Sequence, residues 1–190
     1  MRMRLFFISA WSTIDPLYYL CTRLHYIEQT RENANIFRVR LTRYKGREVI
    51  LSDGTIIKKN DVLVKIHLHN VRLLKELQGF NNDLRKTMIL YKKVKESLPH
   101  LALYIQRHEN EKEIKGIVGI TMLNKGCERL GFEPYTISSR TYKWFKQLAL
   151  YPIYLLSTPK RPPKNRKTPS PKYLFMSKGS LLTKYGFHIK

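Results

Sequence analysis

The stretch from residue 36 to residue 69, IFRVRLTRYKGREVILSDGTIIKKNDVLVKIHLH, decides the fold class of this 190-residue chain. It opens with FRVRL at 37–41, where apolar and polar residues alternate as in a strand with one wet face. Residues 52–55, SDGT, then supply a tight turn between two short apolar runs, which predicts a hairpin. A further alternating run from 61 to 69 predicts another strand. The stretch therefore predicts a set of antiparallel strands.

One face of these strands is basic and polar. If the strands pair with their apolar sides inward, the outer face collects the five residues Arg38, Arg40, Lys65, His67 and His69. Guanidinium, ammonium and imidazole donors held together suit phosphate or carboxylate, so we predict an anion-binding site here. Two other interpretations stay open at this point: a helix covers the face, or the charges only solvate it.

The remainder of the chain adds helices and a few strands. An N-terminal helix is predicted over 3–28, and an apolar stripe that includes Met88 predicts another helix, divided by Pro99 from a following one at 100–108. The later elements are predicted as a strand at 114–121, a short helix at 122–130 capped by Gly131, a strand at 132–137, a helix at 140–150, a strand at 172–177 and a last helix at 178–185. We therefore predict a single α+β domain over 1–190, with a small, largely antiparallel sheet, helices packed on one side, and a Pro/Lys/Arg-rich loop at 157–172.

Composition bounds the function. The 36 Lys and Arg residues against 14 Asp and Glu give a net charge of +22, which predicts a polyanionic partner such as nucleic acid or an anionic membrane surface. Non-specific, salt-dependent binding to nucleic acid in vitro is expected from this charge alone. A hydrophobic fraction of 43% excludes disorder throughout, and only two cysteines argue against a disulfide scaffold.

Aromatic residues beside basic ones predict contact with a membrane surface. No apolar run reaches the roughly 18 residues of a spanning helix, since the longest, at 148–156, has nine residues and contains Pro152. The segment 142–156 is rich in aromatic residues next to lysines. We expect a cytoplasmic protein, peripheral at the inner face of the membrane, with these N-terminal residues at the interface: Phe6, Phe7, Trp11, Tyr18 and Tyr19.

Signatures of catalysis and cofactor binding are weak. His67 and His69 have the spacing of a metal-binding pair on a strand, but no further ligands stand at a suitable distance along the chain, so no metal is predicted. Cys127 lies in a predicted helix without a paired histidine and is expected to be a small buried residue. The sequence has no Walker A, G-x-S-x-G or H-E-x-x-H motif. We predict no catalytic residues and no cofactor.

Several stretches together resemble one known family. These are Trp11-x-x-x-Asp15, Phe37-x-Val-x-Leu with Tyr44, DGTIIKKNDVLVKIHLHN (53–70), ESLPHLALYI (96–105), EIKGIVGITMLNKGCERLGFE (113–133) and YLFMSKGSLLTKYG (173–186). In order and spacing they resemble the YkoP-like proteins of spore-forming bacteria. Related domains are joined to polysaccharide deacetylases, so the resemblance implies a role near the cell envelope. It supplies no catalytic residue to transfer to this chain.

These observations lead to three functional hypotheses. The leading one is a non-catalytic accessory protein that binds an anionic envelope ligand, either a lipid headgroup or a polysaccharide precursor. The second is a nucleic-acid-binding protein, although the basic residues are spread along the chain and no recognition element is evident. The third is an enzyme that acts on an envelope sugar, with His67 or His69 as the acid or base.

Overall fold

The architecture is taken from a computed structural model that describes residues 24–27, 35–68, 73, 76, 83–122, 126–157 and 168–186. The strands are β1 (His25–Tyr26), β2 (Phe37–Arg43), β3 (Val49–Ile50), β4 (Ile56–Ile57), β5 (Val62–Leu68), β6 (Ile114–Thr121), β7 (Glu133–Thr136) and β8 (Lys172–Ser177). The helices are α1 (Asp83–Gln106), α2 (Arg140–Ser157) and α3 (Lys178–Tyr185), with a 3-10 turn at Cys127–Leu130.

Six strands form one mixed sheet in the order β1-β2-β5-β6-β8-β7. Only the β5–β6 pair is parallel among the described strands, and the other neighbours run antiparallel. The β3 and β4 strands pair separately as the hairpin predicted around SDGT. The structure therefore confirms an α+β fold with a largely antiparallel sheet.

The two faces of the sheet carry different layers. One face packs its apolar residues, such as Val39, Val64 and Ile117, against α1 and α3 in the larger core. On the opposite face, Leu63, Val118 and Phe175 pack against the β3–β4 hairpin in a smaller core. The sequence predicts helices on one side, and α1 and α3 lie so, whereas α2 contacts the opposite face through stacking of Tyr142 on Tyr173. This opposite face also carries the basic residues.

The prediction of a helix over 3–28 is wrong at its C-terminal end. His25 and Tyr26 form a strand that pairs antiparallel with β2, placing Tyr26 opposite Arg38. Helical spacing of Leu24 and Ile27 suggested a helix, yet both residues are buried beside a strand because the edge of β2 provides backbone partners that a local pattern does not reveal. Residues 3–23 and 28 lie outside the described residues.

The helix α1 differs from its prediction in two ways. It runs unbroken from Asp83 to Gln106 with Pro99 inside it, so the predicted division at Pro99 is wrong. Leu98 and Leu101, on both sides of the proline, are fully buried in the same core, and this packing outweighs the lost backbone hydrogen bond. Met88, predicted as part of the buried stripe, is 69% exposed, whereas Leu90 and Tyr91 beside it are partly buried against the core.

The C-terminal elements confirm their predictions closely. The strand at 114–121, the strand at 172–177 and the helix at 178–185 have the predicted bounds. Ser177 caps α3 by accepting a hydrogen bond from the Ser180 backbone N–H at 2.9 Å. The helix predicted at 140–150 extends to Ser157, where the predicted loop at 157–172 begins, and residues 158–167 of that loop lie outside the described part of the chain.

Gly131 allows a direct test of the turn that leads into β7. Its φ of +92° is in the left-handed region, and a Cβ atom there would lie 3.3 Å from the Met176 side chain. Gly131→Ala is therefore expected to lower the free energy of unfolding by about 1–2 kcal/mol, measured by urea denaturation. Gly179→Ala is the matched control, because its Cβ would meet only Ser177 Oγ at 3.8 Å, and no loss is expected. Equal losses in both variants would contradict this explanation.

Candidate functional site

The pairing of β2 with β5 brings the predicted basic residues together. In this antiparallel register Arg38 lies opposite His67, and Arg40 lies opposite Lys65. Residues directly opposite in a pair of strands point to the same face, so the register confirms that these four side chains share one face of the sheet. Their apolar neighbours point to the larger core on the other side.

Arg38 is the most enclosed member of this group. Its side chain is part of a residue only 4% exposed, and its Nε and Nη2 atoms donate to the Tyr26 hydroxyl at 2.9 and 2.6 Å. The guanidinium carbon also lies 5.0 Å from the centre of the Tyr26 ring, within the range of a cation–π contact. β1 therefore fixes Arg38 in place at the edge of the basic face.

A fifth basic residue, Lys146, joins the group from α2. Tyr142, one turn earlier on that helix, stacks on Tyr173 of β8 with ring centres 6.5 Å apart. Because i and i+4 residues lie on the same side of a helix, this contact turns Lys146 toward the sheet as well. We call Arg38, Arg40, Lys65, His67 and Lys146 the cationic cluster.

The members of the cationic cluster act on one another electrostatically. Burial, together with the positive charges of Lys146 and Arg40, lowers the pKa of Lys65 from 10.5 to about 8. Burial and the charge of Arg40 also lower the pKa of Lys146. At neutral pH Lys65 is still mainly protonated, so positive charge is concentrated in a partly desolvated space.

His67 is a neutral member of the cluster. Burial, together with the neighbouring charges of Lys65, Arg40, Lys146 and Arg38, lowers its pKa from 6.5 to about 3. The imidazole is therefore uncharged at neutral pH and can donate one hydrogen bond and accept another. It contributes polarity to the cationic cluster and no charge.

Aromatic rings border the cationic cluster on the side of the hairpin. Tyr173 lies edge to face with Tyr44 at 6.0 Å, and Tyr44 meets Phe175 in the same manner at 5.4 Å. Phe175 is fully buried in the smaller core. The stacking of Tyr173 on Tyr142 connects these rings to the helix that carries Lys146.

A cavity of about 570 Å³ lies elsewhere, between the hairpin and α3. Two of the three acidic residues that line it have structural roles. Asp53 accepts hydrogen bonds from Ser177, Ser180 and Thr55, and although burial would raise its pKa, these bonds hold the pKa at about 2. Glu133 accepts from the Ser52 backbone N–H and hydroxyl at 3.0 and 2.7 Å. These bonds fasten the hairpin to the domain, so the cationic cluster is the stronger candidate site.

Sequence reasoning found four of the five members of the cluster and missed Lys146. A helix was predicted around Lys146, but no local pattern indicates that this helix packs over β5. His69 lies outside the described residues, as do the five aromatic residues predicted for the membrane interface: Phe6, Phe7, Trp11, Tyr18 and Tyr19. Cys127 is partly buried, and burial together with the charge of Glu128 raises its pKa to about 11, which argues against a reactive thiolate.

Comparisons with known proteins identify the family. The YkoP domain model matches residues 4–185, nearly the whole chain. The chain belongs to the YkoP family. It is 48% identical over 183 residues to "Uncharacterized protein YkoP" of Bacillus subtilis (strain 168), an alignment that covers 96% of this chain and 98% of that protein. The resemblance stated from the sequence is thus confirmed, and no solved structure matches the chain.

Within the described ranges, no helix combines the length and the apolar character that crossing a bilayer requires. The helix α2 is the one whose position matters most for the site, since it carries Lys146 against the sheet.

Proposed function

We propose that this YkoP protein is a non-catalytic accessory factor that binds a phosphate-bearing envelope ligand in the cationic cluster. The observation that carries the proposal is the placement of Arg40 opposite Lys65 on one face of the sheet, with Lys146 brought to the same face by α2. Burial together with the charges of Lys146 and Arg40 brings the pKa of Lys65 to about 8. An anion placed among these groups would relieve their repulsion and restore the charge on Lys65. The fold holds the repelling charges in place, as a preorganised anion site requires.

Phosphate is the ligand chemistry that suits these donors best. Arg40 offers a planar fork that can hold two phosphate oxygens, while Lys65 and Lys146 add compact positive charges. Neutral His67 can donate a further hydrogen bond. A lipid headgroup and a polysaccharide precursor can both present this chemistry, and a position at the inner face of the membrane suits both.

The depressed pKa of His67 argues against the alternative of an acid–base enzyme. A catalytic acid or base works best with a pKa near the working pH, whereas burial and four neighbouring positive charges place the pKa of His67 at about 3. Binding of an anion is the simpler use of the same residues. Nucleic acid remains the competing ligand because the net charge of +22 attracts any polyanion.

The double variant Arg40→Gln/Lys65→Gln tests the proposal. Inorganic pyrophosphate is titrated by calorimetry, and retention on vesicles of phosphatidylcholine with phosphatidylglycerol is measured by sedimentation at physiological salt. Loss of two basic contacts is expected to cost about 2 kcal/mol, or roughly thirtyfold in affinity. Binding by the unsubstituted protein should also weaken as the pH rises through about 8, where Lys65 loses its charge. Arg38 is left in place because its bonds to Tyr26 are structural.

A matched control removes the same charge elsewhere on β2 and just after it. Arg43 and Lys45 are exposed and bond to Asn60, so Arg43→Gln/Lys45→Gln lowers the net charge equally without touching the cluster. Equal weakening of pyrophosphate binding in both double variants would mean that only net charge matters and would contradict the proposal. Retention on duplex DNA with no binding of pyrophosphate or vesicles would also contradict it and favour a nucleic-acid-binding protein.

A further inference from the structure

The outward side of α2 is unusually apolar for a surface helix. Trp144, Leu148 and Tyr151 are 68%, 60% and 40% exposed, and Phe145 beside them is 57% exposed. The first three are spaced i, i+4 and i+7, so they form one continuous stripe along the helix. We call these four residues the aromatic stripe.

The aromatic stripe is not the side by which α2 packs on its own domain. That contact is made by Tyr142 stacked on Tyr173, and Lys146 on the same side acts on Lys65 across the interface. At 100° per residue, Trp144 and Leu148 lie on the opposite side of the helix from these two residues. A helix that is bound to its domain by one side and apolar on the other side marks a surface for a second partner.

The charge around α2 indicates what that partner is. The helix contains no acidic residue, and the sequence has none after Glu133. Arg140 and Lys143 lie in its first turn, and the cationic cluster lies beneath it. The complementary surface is therefore apolar and negatively charged at once, which describes the headgroup region of an anionic bilayer. A single-stranded nucleic acid would also use aromatic rings, but the aliphatic Leu148 in the centre of the stripe offers no face on which a base can stack.

We propose that α2 docks this protein on an anionic bilayer, with the aromatic stripe entering the boundary between headgroups and acyl chains. This contact surface is distinct from the phosphate site, and it goes beyond the proposed function by naming the element that meets the membrane. Lysine and arginine around the stripe attract the surface over a Debye length, and the apolar side chains then hold the helix there.

The fluorescence of Trp144 provides the first test. The chain has two tryptophans, so Trp11→Phe leaves Trp144 as the single reporter. Vesicles of phosphatidylcholine with phosphatidylglycerol are expected to shift its emission to the blue, and brominated lipids should quench it. Emission that is already blue without vesicles, or that is unchanged on bound vesicles, would overturn the proposal, since the stripe would then be covered by the chain itself or face away from the membrane.

A pair of variants provides the second test. Trp144→Ser/Leu148→Ser is expected to weaken vesicle retention by about tenfold or more, because the area buried in the bilayer is lost. The matched control is Met88→Ser/Ile50→Ser, at residues 69% and 60% exposed on other elements, and it should retain full binding. Pyrophosphate binding should be unchanged in both, so failure of the docking surface is distinguishable from failure of the phosphate site. Equal vesicle binding by both variants would overturn the proposal. It would also be overturned if analytical ultracentrifugation showed a dimer that only Trp144→Ser/Leu148→Ser dissociates, or if that variant lost only the binding of an oligonucleotide.

Discussion

Acidification is expected to destabilise this protein by several kcal/mol through His67 alone. The unfolded chain binds a proton at His67 near pH 6.5, whereas burial and then the neighbouring cations hold the pKa of the folded state at about 3. Above pH 6.5 the imidazole is neutral in both states and contributes no pH dependence. Between these values only the unfolded state gains the proton, so the free energy of unfolding falls by up to about 1.4 kcal/mol per pH unit.

The experiment compares urea denaturation of the protein and of His67→Gln from pH 7 to pH 4. In the variant, the fall in the free energy of unfolding between pH 6.5 and pH 4 should be absent. Asp53→Asn controls for destabilisation caused by protonation of a carboxylate. Burial would raise the pKa of Asp53, but hydrogen bonds from Ser177, Thr55 and Ser180 outweigh it and place the pKa at about 2 instead of 3.8. The stabilisation that Asp53 contributes is therefore lost only below about pH 4. If the free energy of unfolding of His67→Gln fell by the same amount on acidification, burial of the imidazole would not be the cause.

Much of the fold could be predicted because the relevant patterns are local. Alternation along β2 and β5 specifies the buried face of each strand. The SDGT turn specifies the separate hairpin of β3 and β4, which lies between β2 and β5 in the sequence. Gly131 marks the end of the 3-10 turn through its left-handed backbone, and the hydroxyl of Ser177 caps the start of α3. The pairing of His25–Tyr26 with β2 could not be predicted in this way, since a two-residue strand has no period to detect and depends on a partner edge twelve residues away along the chain.

The candidate site, too, could be predicted only where local patterns determine it. The pleat of two antiparallel strands places Arg38, Arg40, Lys65 and His67 together, and this follows from the alternation alone. That α2 returns to this face of the sheet, and that Lys146 adds its charge, depends on the stacking of Tyr142 and Tyr173. Such contacts between distant segments have no signature in either segment. The burial that lowers the pKa values of Lys65 and His67 therefore could not be predicted from the sequence either.

Replacement of Lys65 by methionine is expected to stabilise the protein while impairing its anion site. Methionine fills similar space without an ammonium group, so it removes the desolvation and the repulsion from Lys146 and Arg40 that bring the pKa of Lys65 to about 8. We expect an increase of about 1–3 kcal/mol in the free energy of unfolding at neutral pH. Lys45→Met, at an exposed lysine bonded to Asn60, is the matched control and should bring no such gain.

The pH dependence identifies the cause of this gain. Below about pH 8 Lys65 is charged in both states, and the native state bears the full cost of burying it. Between about 8 and 10.5 only the unfolded chain keeps the proton, so the free energy of unfolding rises with pH in the unsubstituted protein and not in Lys65→Met. Pyrophosphate should supply a comparable stabilisation at neutral pH by neutralising the cluster, and Lys65→Met should lose most of this response. If Lys65→Met were less stable than the unsubstituted protein, or if its free energy of unfolding still rose between about pH 8 and 10.5, then other contacts would compensate for burying the charge of Lys65. The cationic cluster would in that case not lower the stability of the fold.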